Sequence, residues 1–168
     1  MLRLVRNLLR AKIVRAADFR ASECSMNMPN ENLPRLLATT IQNSQMDAIL
    51  TAELTVLLCQ QDKALRKLFI SQGENIMTTL VRVVRDLHTH VSEECLSSCL
   101  LAIAALTRQN LTATALLLQS DQNAESPLTL ITSHYLRYPN RSIRAASASI
   151  IAHCSAFSGE EELAKITG

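Results

Sequence analysis

Residues 43–86, NSQMDAILTAELTVLLCQQDKALRKLFISQGENIMTTLVRVVRD, carry the pattern that decides the fold of this chain. A polar start leads into an apolar stretch, a polar break follows at 60–63, and a second stretch ends at Gly73 before a longer third one. The apolar residues recur at the spacing of one buried helix face, so the segment predicts three successive helices. The core positions that this spacing predicts are Ala48, Leu54, Leu58, Leu80, Val83 and Val84.

The same apolar pattern recurs 48 residues further along the chain. A second shift of the same length places Ala148, Ile150 and Cys154 in register, so that 141–157 begins a third unit. A period of this length is typical of proteins that stack helical repeats. The pairs superimposed by the first shift include Leu58 with Leu106, Ala52 with Leu100, Phe69 with Leu117, Leu80 with Leu128, and Val83 with Ile131.

On these residues the chain resembles the armadillo repeat family. Segment 43–86 is similar to one unit of the family in its order of elements, and Gly73 lies where the family usually turns. The second unit, 91–137, departs from the pattern because Asp121 replaces that glycine, and a longer loop at 120–126 takes its place. The resemblance covers about 32–157. It implies an all-α, right-handed α-solenoid of about two full units with partial terminal units; the HEAT family and generic helical hairpins remain alternatives.

Composition also favours helices packed on helices. Apolar residues make up 48% of the 168 residues and aromatic residues only 3%, so leucine, isoleucine, valine and alanine must form the core. The chain has three glycines and four prolines, too few for the turns of an all-β fold. It contains no uninterrupted apolar run of membrane-spanning length, which argues against a transmembrane helix.

The first twenty residues differ in charge from the rest of the chain. They carry six basic groups and one acidic group, whereas 21–168 carry eleven basic and fourteen acidic groups. Leu2, Val5, Leu9 and Ile13 recur at helical spacing among the arginines. We therefore expect a basic amphipathic helix at 1–21, which resembles a mitochondrial presequence. A docking helix, a helix at a membrane surface and an ordinary terminal helix are the alternatives.

Residues 22–31 lack helical periodicity and contain Pro29 and Asn30, which predicts a loop before the helical domain at 32–168.

No residue pattern points to catalysis or to a cofactor. His88, His90, Cys95 and Cys99 form the one cluster with zinc-ligand chemistry, but their spacing matches no closed zinc module. We interpret the two cysteines as part of an apolar helix face and the two histidines as solvated. The sequence therefore predicts no catalytic residue, no metal site and no small-molecule substrate.

The armadillo resemblance implies that the last helix of each unit lines the binding face. In the helix at 76–87, the core positions leave Thr78, Arg82 and Arg85 on the opposite side, and the equivalent helix leaves Ser133 and Arg137. These five residues are the predicted protein-binding stripe, and its arginines suit a partner segment with acidic groups.

These expectations give one leading function and two alternatives. The leading function is a non-catalytic scaffold or accessory subunit of a larger assembly. If the N-terminal helix targets the chain to mitochondria, that assembly would be a respiratory complex, the ATP synthase or the mitochondrial ribosome. One alternative is an organellar helical-repeat protein that binds RNA, against which the acidic balance of 21–168 argues. The other is a cytoplasmic or ciliary armadillo-like adaptor.

The repeat also makes a prediction about packing. Equivalent positions on successive helices must all face the core, whereas Thr78 must face away from it. We expect strands nowhere between residues 43 and 157. The residues predicted to be buried are Leu58, Leu80, Leu106, Leu128 and Cys154.

Overall fold

The computed structural model describes residues 32–70, 76–86, 91–119 and 125–156, and every regular element within these ranges is helical. The all-α prediction is therefore confirmed for the described part of the chain. The predicted N-terminal helix at 1–21 and the loop at 22–31 lie outside it. The elements are α1 (Asn32–Ile41), α2 (Gln45–Gln61), α3 (Lys63–Leu68), α4 (Ile76–Asp86), α5 (Glu93–Thr107), α6 (Leu111–Leu118), α7 (Pro127–Ser133), a short 3-10 helix (Tyr135–Arg137) and α8 (Arg141–Ser155).

The three long helices α2, α5 and α8 start at equivalent positions. Their N-cap residues are Ser44, Ser92 and Asn140, and each cap side chain accepts a hydrogen bond from a backbone N–H in the first turn. These bonds satisfy donors that a helix start otherwise leaves without a partner. The caps follow one another at intervals of 48 residues, the period found in the sequence.

The short helices α3 and α6 keep the same register. Asp62 caps α3 by accepting a hydrogen bond from the Ala64 N–H, and Asn110 caps α6 by accepting one from the Ala113 N–H. Ser126 caps α7, whose first residue is Pro127, a position where the missing N–H of proline costs nothing.

The helices pack in two rows. In one row α5 lies between α2 and α8, and in the other α4 contacts both α1 and α7. Contacts between the rows join α1 to α2, α4 to α5, and α7 to α8. The core therefore lies between the rows, where the apolar faces of the helices meet.

Two hydrogen bonds join successive long helices at their starts. The Gln45 side chain, at the start of α2, accepts a hydrogen bond from the Ser92 backbone N–H at 3.2 Å. The Glu93 side chain, at the start of α5, accepts one from the Asn140 side chain at 2.8 Å. Gln45 and Glu93 are equivalent positions, so the same kind of contact aligns each long helix with the next.

Most of the packing prediction is confirmed. Leu58, Leu80 and Leu106 are 0% exposed and Cys154 is 6% exposed, whereas Thr78 is exposed. The prediction for Leu128 is wrong, because this residue is only half-buried. The reason is that α7 begins at Pro127, so Leu128 lies in its first turn, whereas Leu80 lies in the second turn of α4.

The repeat position that Ala148 occupies is not equally buried in all units. Its equivalent Ala52 is 0% exposed, but Ala148 is exposed. Leu100, the equivalent residue on α5, is buried. Within the described residues α8 is the last helix of its row, so its outer side lacks the neighbour that α5 provides for α2.

Candidate protein-binding surfaces

Three residues of the predicted stripe lie exposed on helices. Thr78 and Arg82 are exposed on α4, and Ser133 is exposed at the end of α7. The Ser133 hydroxyl donates a hydrogen bond to the Thr129 carbonyl of its own helix at 2.9 Å. The role of these residues in binding a partner stays a prediction.

The other two residues of the stripe have different surroundings. Arg85 is half-buried, and its guanidinium donates a hydrogen bond to the Glu125 carbonyl at 2.8 Å, which ties α4 to the segment before α7. Arg137 is exposed but lies on the 3-10 helix, so its predicted place on the helix of Ser133 is wrong. The 3-10 helix in turn ends at Arg137, because Tyr138, which precedes Pro139, takes an extended conformation.

Arg82 borders a pocket of about 300 Å³ at one end of the helical rows. The end of α1, the starts of α2 and α5, and the middle of α4 form its walls. Its described lining residues are Ile41, Gln42, Ser44, Gln45, Ala48, Arg82, Val83 and Cys95.

Cys95 and Cys99 are buried on α5 as free thiols. A hydrogen bond between them lowers the pKa of Cys95 and, together with burial, raises the pKa of Cys99. His88 and His90 lie outside the described residues. Among the residues that the structure does describe, no group of three or more metal-ligand side chains comes together.

A second pocket, of about 210 Å³, crosses the C-terminal halves of α2, α5 and α8 and includes Arg66 of α3. We call it the basic groove. Two arginines, a histidine and several small side chains line it. The described lining residues are Val56, Cys59, Gln60, Arg66, Leu101, Ala104, Ala105, Arg108, Ser149 and His153.

Arg66 is fixed in the wall of the basic groove by two helix ends. Its side chain is only 7% exposed, although it carries a full charge. Its Nε donates a hydrogen bond to the Cys59 carbonyl at 3.0 Å, and its Nη1 donates one to the Arg108 carbonyl at 2.7 Å. Both carbonyls lie at helix C-termini, where partial negative charge stabilises a cation.

His153 faces the two arginines of the groove. It is half-buried on α8, and its Nδ1 lies 3.5 Å from the Thr107 hydroxyl. Burial lowers the pKa of His153, the charges of Arg108 and Arg66 lower it further, and a backbone hydrogen bond at Ala104 opposes them. The lowered pKa favours the neutral imidazole at pH 7, so Arg66 and Arg108 supply the fixed positive charge of the groove.

The basic groove combines this charge with an exposed apolar residue. Leu101 is 46% exposed, an unusual degree for a leucine in the middle of a helix that is otherwise well buried. None of the described lining residues is a carboxylate, and Glu53 and Asp62, the acidic residues nearest to Val56 and Gln60 in sequence, are not among them. The groove therefore offers both a cationic and an apolar contact to a ligand.

Sequence reasoning missed the basic groove. The repeat alignment gives one signal for it, because Arg66 takes the position that Thr114 occupies in the next unit. A charged residue at a buried repeat position marks a place where units differ, but its partners cannot be read from the pattern. They are carbonyl groups, which every residue has.

Comparisons with protein-family models, with curated proteins and with solved structures each gave no match to this chain. A separate finding concerns membranes: across 32–70, 76–86, 91–119 and 125–156, no helix has both the length and the apolar character that a membrane span requires.

Proposed function

We propose that this chain is a non-catalytic protein-binding scaffold, built as a right-handed armadillo-like α-solenoid and acting as an accessory subunit of a larger assembly. The observation that carries the proposal is the register of the long helices. Three helices that start 48 residues apart, with N-caps at equivalent positions, lie side by side in one row. This arrangement is what stacked repeats require, because each unit buries its apolar face only against its neighbours.

Apolar residues at one end of the rows support a role within an assembly. Leu36 on α1 is 60% exposed, and Met46 on α2 is 50% exposed. α1 and α2 are the first described helices of their rows, and no earlier helix among the described residues covers them. In our proposal these side chains belong to a surface that another protein covers, as large exposed apolar patches commonly do.

We propose that this scaffold is located in mitochondria. Its support is the composition of 1–21, which combines five arginines and a lysine with one acidic residue and apolar residues at helical spacing. Fusing residues 1–25 to a fluorescent reporter tests this part separately. We expect the reporter to colocalise with a mitochondrial marker. A diffuse or ciliary signal contradicts the mitochondrial localisation without affecting the scaffold proposal.

The scaffold proposal is tested on the tagged full-length chain at its native expression level. Extracts in mild detergent are separated by size, and cross-linking mass spectrometry maps which residues of the chain contact other proteins. We expect the chain to elute well above its monomer mass of 18.6 kDa with reproducible cross-links. Elution as a monomer without cross-links contradicts the proposal.

A further inference from the structure

We propose that the basic groove binds an acidic segment of a partner protein, with a carboxylate held by Arg108 and Arg66 and a neighbouring apolar side chain packed on Leu101. The inference rests on the proposed scaffold function and adds to it the chemistry of the partner and the residues that recognise it. The occupant follows from charge complementarity, because Arg66 and Arg108 line the groove and no described lining residue is acidic.

The two arginines suit a carboxylate for different reasons. Arg66 is fixed by its bonds to two carbonyl groups, which use two of its five N–H donors. The backbone of Arg108 accepts one of those bonds while its side chain is exposed. An exposed guanidinium group such as that of Arg108 can pair with a carboxylate through two parallel hydrogen bonds. One arginine therefore supplies a preorganised charge, and the other is available for direct contact.

The shape of the groove suits side chains rather than a cofactor. Ala104, Ala105 and Ser149 are small, so a side chain from outside can approach the helix backbones. At about 210 Å³ the space falls below the ~300–1,000 Å³ that is usual for small-molecule sites. Leu101 then provides the apolar contact at the rim.

RNA is the competing ligand, since phosphates also bind arginine. A single-stranded nucleic acid needs aromatic side chains on which bases stack, and the described lining of the groove contains none. The excess of acidic groups in 21–168 also disfavours a phosphate backbone. A short protein segment, which brings one carboxylate and one apolar side chain, fits the groove better.

The first experiment uses the full-length chain and hexapeptides that contain three leucines and three glutamates in every possible order. Each fluorescent peptide is paired with a version in which glutamine replaces glutamate, and binding is measured by fluorescence anisotropy. We expect at least one glutamate peptide to bind and its glutamine version to bind about tenfold more weakly, as charged hydrogen bonds imply. Absence of binding by all glutamate peptides, or equal binding by both versions, overturns the inference.

Variants then locate the binding. Arg108→Gln and Leu101→Ser are expected to weaken the best peptide by about tenfold, and Arg108→Lys is expected to restore part of the affinity. Arg141→Gln, which removes an exposed arginine at the start of α8, is the matched control and is expected to change nothing, whereas Arg82→Gln tests the predicted stripe. Circular dichroism checks that each variant is folded. A loss caused by Arg82→Gln and not by Arg108→Gln overturns the groove in favour of the predicted stripe.

Two further outcomes separate this inference from the proposed function. Single-stranded poly(U) that binds more tightly than every peptide and is lost on Arg108→Gln overturns the protein assignment in favour of RNA. In cells, release of the Arg108→Gln chain from its assembly supports the groove. If the wild-type chain assembles and the Arg108→Gln chain assembles equally well, the groove inference fails alone; if the wild-type chain is a monomer, the scaffold proposal fails.

Discussion

At the scale of single residues, Leu106 tests whether the repeat alignment identifies the core. It is 0% exposed at the centre of the row of long helices, equivalent to Leu58 and Cys154. The change Leu106→Ala removes buried atoms and leaves a cavity, so we expect the free energy of unfolding to fall by about 2–5 kcal/mol. Thr78→Ala, on the exposed side of α4, is the control and is expected to cost less than about 0.5 kcal/mol. Urea denaturation measures both, and equal losses contradict the alignment.

His153 gives the second residue-scale prediction, which concerns pH. Burial and the charges of Arg108 and Arg66 lower its pKa in the folded protein below the ordinary value of 6.5. The unfolded chain therefore binds this proton more readily, and stability falls as pH drops from about 7 through 6.5 towards the folded pKa. We expect His153→Gln to reduce the fall in Tm between about pH 7 and pH 5, with the exposed His134→Gln as the control. An unchanged pH profile contradicts the assignment.

Arg66 shows why part of the candidate surface was beyond sequence analysis. A buried cation is costly unless its donors find acceptors, and an acidic partner is the usual expectation. Here the acceptors are the carbonyls of Cys59 and Arg108, and the second lies 42 residues further along the chain. Such contacts depend on where two helix ends meet in space. Composition and periodicity do not show where those ends meet.

At the scale of helices, residue type explains where the elements start. Ser126 followed by Pro127, and Asn140, are residue types that favour a helix start, and they cap α7 and α8. The extent of a helix is harder to predict, because it depends on competition between neighbouring segments. Arg137 lies outside α7 for this reason, and Leu128 is half-buried because α7 starts late.

Asn140 provides a test at this scale because it has two roles. Its side-chain oxygen accepts a hydrogen bond from the Ser142 N–H at 2.8 Å, and its side-chain nitrogen donates one to Glu93. We expect Asn140→Ala to lower the free energy of unfolding by about 1 kcal/mol through loss of the cap. Asn140→Ser keeps a capping oxygen and should cost only a fraction of that. Denaturant titration of both variants decides, and equal destabilisation shows that the bond to Glu93, not the cap, is the stabilising contact.

At the scale of the molecule, net charge and local charge point in different directions. The excess of acidic groups in 21–168 argues against binding to a phosphate backbone such as that of RNA. The basic groove nevertheless brings together the charges of Arg66 and Arg108 without a described acidic residue in its lining. The all-α class follows from composition and period, whereas the distribution of charge over the surface follows from how the rows pack, which the sequence alone does not reveal.

The last prediction concerns the behaviour of the purified chain without a partner. Leu36 and Met46 expose large apolar side chains on α1 and α2, the first described helices of their rows. Burying such surface is favourable by about 25 cal/mol per Å². We expect light scattering to report a mass above 18.6 kDa that increases with protein concentration. The double change Leu36→Lys and Met46→Lys should shift the mass towards the monomer, whereas Leu101→Lys, which changes another exposed apolar residue, should not. A wild-type chain that stays monodisperse and monomeric contradicts the view that this end requires a covering protein.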